Sequence, residues 1–94
     1  MMMDTHCLKV VEKNPNMLVP YYIMAAYAYY VEDEPFISDA AYDKINKMLI
    51  EKWDVVQHVH KDLIDKDQLD AGTCLIKYPE IIKWAVKDLR KIYA

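Results

Sequence analysis

Glycine is almost missing from this chain: Gly72 is the only one in 94 residues. Tight β-hairpins use glycine at their positive-φ turn positions, so its scarcity argues against a hairpin-rich β architecture. Cysteine is nearly as rare. Cys7 and Cys74 are too few and too far apart in sequence for a disulfide framework, which leaves a reducing cytoplasm as the default compartment. Positive charge is also in short supply. Twelve Lys and Arg against fifteen Asp and Glu give a net charge of −3, no basis for binding nucleic acid through bulk charge. The longest uncharged run, NMLVPYYIMAAYAYYV, falls short of the roughly 20 apolar residues of a membrane span, is rich in tyrosine and holds Pro20. The opening MMMDTHCLKVVEKN is interrupted by Asp4, His6 and Lys9, unlike the apolar core of a signal peptide. Neither a membrane segment nor a targeting segment is expected.

What is present reads as globular: 54% hydrophobic and 29% charged residues, in a length that suits one domain, residues 1–94, with one modest core. The pattern predicts an all-α fold, a small bundle of about five helices. The first runs from about Asp4 to Lys13, with Cys7, Leu8 and Val11 on one face, and NPN at 14–16 stops it. The second spans about Pro20 to Glu32, with proline in the first turn where its missing N–H has no helical partner. EDEPFI breaks the chain. Ser38 is a good N-cap for the third helix, about Asp39 to Lys52, with Ile45, Met48 and Leu49 inward. A fourth is expected over about Asp54 to Ile64, turning Val56, Val59 or His60, and Leu63 inward. DKDQLDAG reads as one short helical turn ended by Gly72. The last begins near Pro79, with Ile81, Ile82, Ala85, Leu89 and Ile92 as its apolar stripe and Lys83, Lys87, Asp88, Arg90 and Lys91 outside.

One stretch stands apart. YAYYVEDEPFISDAAYDKI, from Tyr27 to Ile45, packs four tyrosines and five carboxylates into nineteen residues. Phenol hydroxyls and carboxylates both need partners, so a buried surface of this composition is unusual. Asp39, Tyr42 and Asp43 fall at i, i+3 and i+4 and share one helix face. Tyr29 lies on the same side of its helix as Tyr22, Ala25 and Ala26, and the short EDEPFIS connection makes the two helices antiparallel neighbours. Aromatic walls with carboxylates at the rim suit a flat cationic ring, because ring faces attract cations and carboxylates accept amide hydrogens. The pyridinium of an oxidised nicotinamide nucleotide fits, as would other organic cations. The plainer alternative is core and half-exposed aromatic surface beside acidic helix caps.

The pattern Y-A-Y-Y-V-x-D-x-P-x-I-S-D-A-x-Y-D, within residues of about 20–50, resembles domain Ia of bacterial NAD-dependent DNA ligases, the small N-terminal helical domain. The likeness covers about Tyr27 to Leu49. In that family the domain docks the nicotinamide mononucleotide half of NAD and is required for the ligase to adenylate itself. The resemblance implies that Tyr29 and Tyr42 hold the nicotinamide, that Tyr30 sits near the mononucleotide phosphate, and that Asp39 and Asp43 contact the nucleotide. Pro35 and Ile37 would set the turn between the helices. The cofactor implied is NAD or nicotinamide mononucleotide.

The departures narrow this. No K-x-D-G adenylation motif is present; the nearest strings, HKDLID and IKYPE, lack its glycine. No OB-fold, zinc-finger, helix-hairpin-helix or BRCT segment is legible either. Beyond about Glu51 the sequence resembles, more weakly, small stand-alone proteins of tailed phages that carry this domain by itself. The expectation is a module that cannot seal a nick alone and acts with a separately encoded adenylation protein, without contacting nucleic acid or membrane directly. The alternative is an interaction protein for a host or phage DNA-metabolism partner, with no ligand. Three other features are read as structural. His58 and His60, two apart on an expected helix, would point roughly 200° from one another and bind no metal. Gly72–Thr73 lacks the glycines of a phosphate loop. Trp53 and Trp84 suit core or interface anchors better than base-stacking platforms, given the acidic balance.

Overall fold

The computed structural model describes residues 3–71 and 78–93, and the side chains of 92 and 93 lie outside that description. The Gly72 helix stop, the Gly72–Thr73 pair, Cys74 and the Ile92 side chain therefore fall outside the described residues. The regular elements of the described residues are all helical, without strands. Its helices are α1 (Asp4–Lys13), α2 (Leu18–Tyr30), α3 (Asp39–Glu51), α4 (Lys66–Asp70) and α5 (Glu80–Tyr93). No described helix is long and apolar enough to cross a membrane.

α2 is the axis of the fold. Leu18, Val19 and every residue from Tyr21 to Ala28 are buried, so it is apolar all round, as a central helix must be. It starts two residues earlier than Pro20, out of a 3₁₀ turn at Pro15–Met17, which leaves the proline in the first turn. α1, α3 and α5 pack around it, and α4 packs on α3. α1 contributes Cys7 and Val11, both fully buried. Burial and, to a lesser degree, the Asp4 carboxylate push the Cys7 thiol up to about 11, so it is an inert core group.

α5 keeps Ile82, Ala85 and Leu89 of the expected stripe, adds Val86 and drops Ile81. Ile82, Val86 and Leu89 are buried and Ala85 is half-buried, whereas Ile81 is exposed. Ile81 and Ile82 are adjacent and fit a helical stripe equally well, and packing against α2 selects the second. Trp84 is exposed with Lys87 Nζ 5.3 Å from its ring centroid, so it anchors no core.

The largest correction concerns residues 54–64. No α-helix forms there; turns lead to a single 3₁₀ turn at Lys61–Leu63. Val56 and Ile64 are buried, but Val59 and Leu63 are exposed. Val, His and Asp are all below-average helix formers, so propensity opposes the helix that the apolar spacing suggests. Side chains organise the backbone instead. Lys61 Nζ donates to the carbonyls of Trp53 (2.6 Å) and Val56 (3.1 Å) and lies 4.8 Å from the Trp53 ring centroid. The Gln57 N–H donates to Asn16 Oδ1 at 2.9 Å.

Candidate functional site: a tyrosine and carboxylate cavity

Three devices set the geometry where α2 hands over to α3. α2 ends at Tyr30, and the chain reverses through Asp33 at φ 52°, a left-handed conformation that Asp tolerates better than most residues. The Glu34 N–H then returns to the Ala28 carbonyl at 2.9 Å. Phe36 and Ile37, both buried, plug this turn into the core. Ser38 caps α3, its hydroxyl oxygen accepting from the Ala41 N–H at 3.1 Å. Asp4, in the first turn of α1, grips the cap: its carboxylate accepts from the Ser38 N–H at 2.8 Å and from the Ser38 hydroxyl at 2.6 Å.

The acidic connection is partly spoken for. Arg90 on α5 pairs with Glu32 at 2.8 Å and with Glu34 at 3.2 Å, and also donates to the Glu34 carbonyl. The arginine read as an outer surface residue is thus a clamp between α5 and the α2–α3 turn. Two of the five carboxylates in the stretch are committed to it.

Tyr29, Tyr30, Asp39, Tyr42 and Asp43 all line one cavity of about 320 Å³, together with Asn46 and Ala71. Tyr29 and Tyr30 are 46% and 41% exposed, a sharp change from the buried body of the same helix. Tyr42 is half-buried between two tyrosines of α2: its ring centroid is 5.4 Å from Tyr22 and 6.3 Å from Tyr29. Tyr30 meets Tyr29 edge-on at 5.0 Å. Tyr22 also lies at the Asn46 amide, so later positions on α3 meet earlier positions on α2 and the helices run antiparallel.

Ring spacing limits what the cavity accepts. Two stacked contacts at roughly 3.5–4 Å each would need ring planes about 7–8 Å apart. At 6.3 Å and 33° tilt, Tyr29 and Tyr42 are already in contact, so no third ring lies between them as they stand. Tyr29 is the more exposed ring of the pair, whereas Tyr42 is half-buried and backed by Tyr22.

Charge in the cavity is of one sign. Asp39 and Asp43 are both exposed, one helical turn apart on the same face, a like-charged spacing that mildly destabilises a helix. Lys47, one further turn along, pairs with Asp43 at 2.9 Å, but both are well exposed and the pair is weak. The lining contains no cationic residue.

Asn46 and Ala71 escaped the sequence reading. Asn46 had a signal: it lies three, four and seven residues after Asp43, Tyr42 and Asp39, on their face of α3. Ala71 had none, because the end of α4 reaches the cavity only through tertiary packing. The histidine pair also departs from expectation. With no helix to separate them, the rings of His58 and His60 lie 5.2 Å apart, and the His60 N–H donates to His58 Nδ1 at 3.1 Å. Among the described residues no group of three or more His, Cys, Asp or Glu gathers to hold a metal.

A family model described as the DNA ligase-like, N-terminal NAD+-binding domain matches residues 11–67, more than half of the chain and all of α2 and α3. No curated protein and no solved structure gives a match.

Proposed function

We propose, from the premise that the chain belongs to the DNA ligase-like, N-terminal NAD+-binding family, that its cavity takes the nicotinamide mononucleotide half of NAD. The observation that carries this reading is the convergence of Tyr29, Tyr30, Asp39, Tyr42 and Asp43 on one cavity inside the matched segment. Its volume lies near the lower end of the roughly 300–1,000 Å³ common for ligand pockets, which suits half a dinucleotide better than the whole.

Each group has a role in this reading. Tyr29 swings off Tyr42 and the pyridinium stacks on the exposed Tyr42 face, held by cation–π attraction. Asp39 and Asp43 supply opposite charge and relieve their mutual repulsion by sharing the cation. With two carboxylates and no cation in the lining, the phosphate stays at the mouth, beside Tyr30. Binding to this half alone is weak, roughly −4 to −6 kcal/mol, or about millimolar to tens of micromolar. These 94 residues hold no K-x-D-G motif, so the lysine that receives AMP is not among them. In this reading they supply part of a substrate site to an adenylation domain.

Titration of the protein with nicotinamide mononucleotide, followed by NMR, tests this reading. Saturable shifts should centre on residues 29–30 and 39–46. Tyr42→Ala should abolish detectable binding while the chain stays helical by circular dichroism. Asp43→Asn should weaken binding about three- to tenfold, the loss of one charge-assisted contact on an exposed surface. A folded sample that shows no shifts at millimolar ligand would reject the reading and favour the interaction-protein alternative.

A further inference from the structure

We propose that Asn46 determines specificity in this cavity, its Oδ1 accepting the N–H of a ring carboxamide and so selecting nicotinamide over nicotinate or a ketone analogue. The inference rests on the nicotinamide reading of the cavity and deepens it. Asn46 is the one polar residue in the hydrophobic interior of the described chain, only 5% exposed, yet it lines the cavity. Its orientation is fixed by chemistry. The Leu69 carbonyl, 2.9 Å away, can only accept a hydrogen bond, so the nitrogen of the amide must face it. The same nitrogen lies 3.4 Å from the Tyr22 hydroxyl. The nitrogen is therefore turned toward α4 and the core, and the oxygen is the end left for the cavity.

A buried acceptor at the base of a cavity discriminates strongly, because a ligand without a donor leaves it unpaired. The carboxamide of a nicotinamide ring brings an N–H donor to that point. A nicotinate ring instead brings a carboxylate toward an amide oxygen and the carboxylates of Asp39 and Asp43, with no cationic residue in the lining to compensate. An acetyl group in place of the carboxamide keeps the pyridinium, the shape and the charge but lacks the donor.

Three mononucleotides, carrying nicotinamide, 3-acetylpyridine or nicotinic acid, are titrated against the wild-type protein and against Asn46→Leu. The wild type should bind the acetylpyridine form at least about tenfold more weakly than the nicotinamide form, and the nicotinic acid form more weakly still. Asn46→Leu should bring the nicotinamide and acetylpyridine forms to within about twofold of each other. If that variant fails to fold, the same comparison is made on Asn46→Ala, whose smaller side chain also removes the acceptor. Wild-type affinities for those two ligands within about twofold would overturn the role of Asn46 and leave the nicotinamide reading standing. Binding of none of the three would overturn both.

Discussion

The cavity at the α2–α3 turn and the segment from residue 52 to 64 both bring aromatic rings beside charges, but they are anchored differently. At the cavity, Tyr29, Tyr30, Asp39, Tyr42 and Asp43 project from near helix ends that are themselves secured: the start of α3 by the Ser38 cap and by Asp4, the turn by Phe36, Ile37 and Arg90. In the 52–64 segment, Trp53, His58 and His60 hang on irregular backbone whose carbonyls are gathered by the ammonium of Lys61. A ligand-binding constellation needs its groups held to a fraction of an ångström, and rigid elements do this better than loops. The difference separates side chains held by secured helix ends from side chains carried on the irregular passage from α3 to α4.

Lys61→Met should break the weaker side of this contrast and give the largest stability loss, about 1.5–3 kcal/mol for charge-assisted bonds to part-buried carbonyls. Hydrogen exchange should accelerate over residues 53–64 while the amides of α2 keep their protection. Equal acceleration in both regions would show that the two are one cooperative unit. Ser38→Ala attacks the stronger side. It removes the α3 cap and one of the Asp4 bonds, at a cost of about 1 kcal/mol by thermal or urea unfolding, and nicotinamide mononucleotide should bind several-fold more weakly as Asp39 loosens.

The smallest effect concerns pH. Burial, and then the neighbouring His60, hold His58 below its ordinary 6.5. The folded state therefore resists protonation more than the unfolded chain does. This contribution to stability is complete above about pH 6.5 and is lost as pH falls through the lower folded value. His58→Gln should flatten the acid side of a plot of melting temperature against pH and leave ligand affinity at pH 7.5 unchanged.

The same contrast explains what could be read from the sequence. The α2–α3 pair was legible because its signals are local: NPN and Pro20 before α2, the EDEP break, Ser38 ahead of Asp39. The i, i+3, i+4 spacing of Asp39, Tyr42 and Asp43 then placed them on one face, and the cavity gathers them with Tyr29 and Tyr30. The segment after α3 misled because Val56, Val59 and Leu63 keep helical spacing without being in a helix. Periodicity could not register that Lys61 would satisfy the carbonyls of Trp53 and Val56. Arg90 read as surface because nothing in α5 announces that Glu32 and Glu34 lie within reach. The contact between the Tyr29 and Tyr42 rings, which leaves no open slot, is a matter of side-chain rotation that spacing does not encode.

The central claim is that a cationic ring is recognised by the tyrosine faces and carboxylates of this cavity. Its most direct measurement compares oxidised nicotinamide mononucleotide with the reduced form, which has nearly the same size and hydrogen-bonding groups but no positive ring. Both are titrated into the wild-type protein at one pH and low salt, with shifts read at Tyr29, Asp39, Tyr42 and Asp43. The oxidised form should bind at least about tenfold more tightly, about 1.4 kcal/mol, through cation–π and carboxylate attraction. Equal affinity for the two forms would contradict the account.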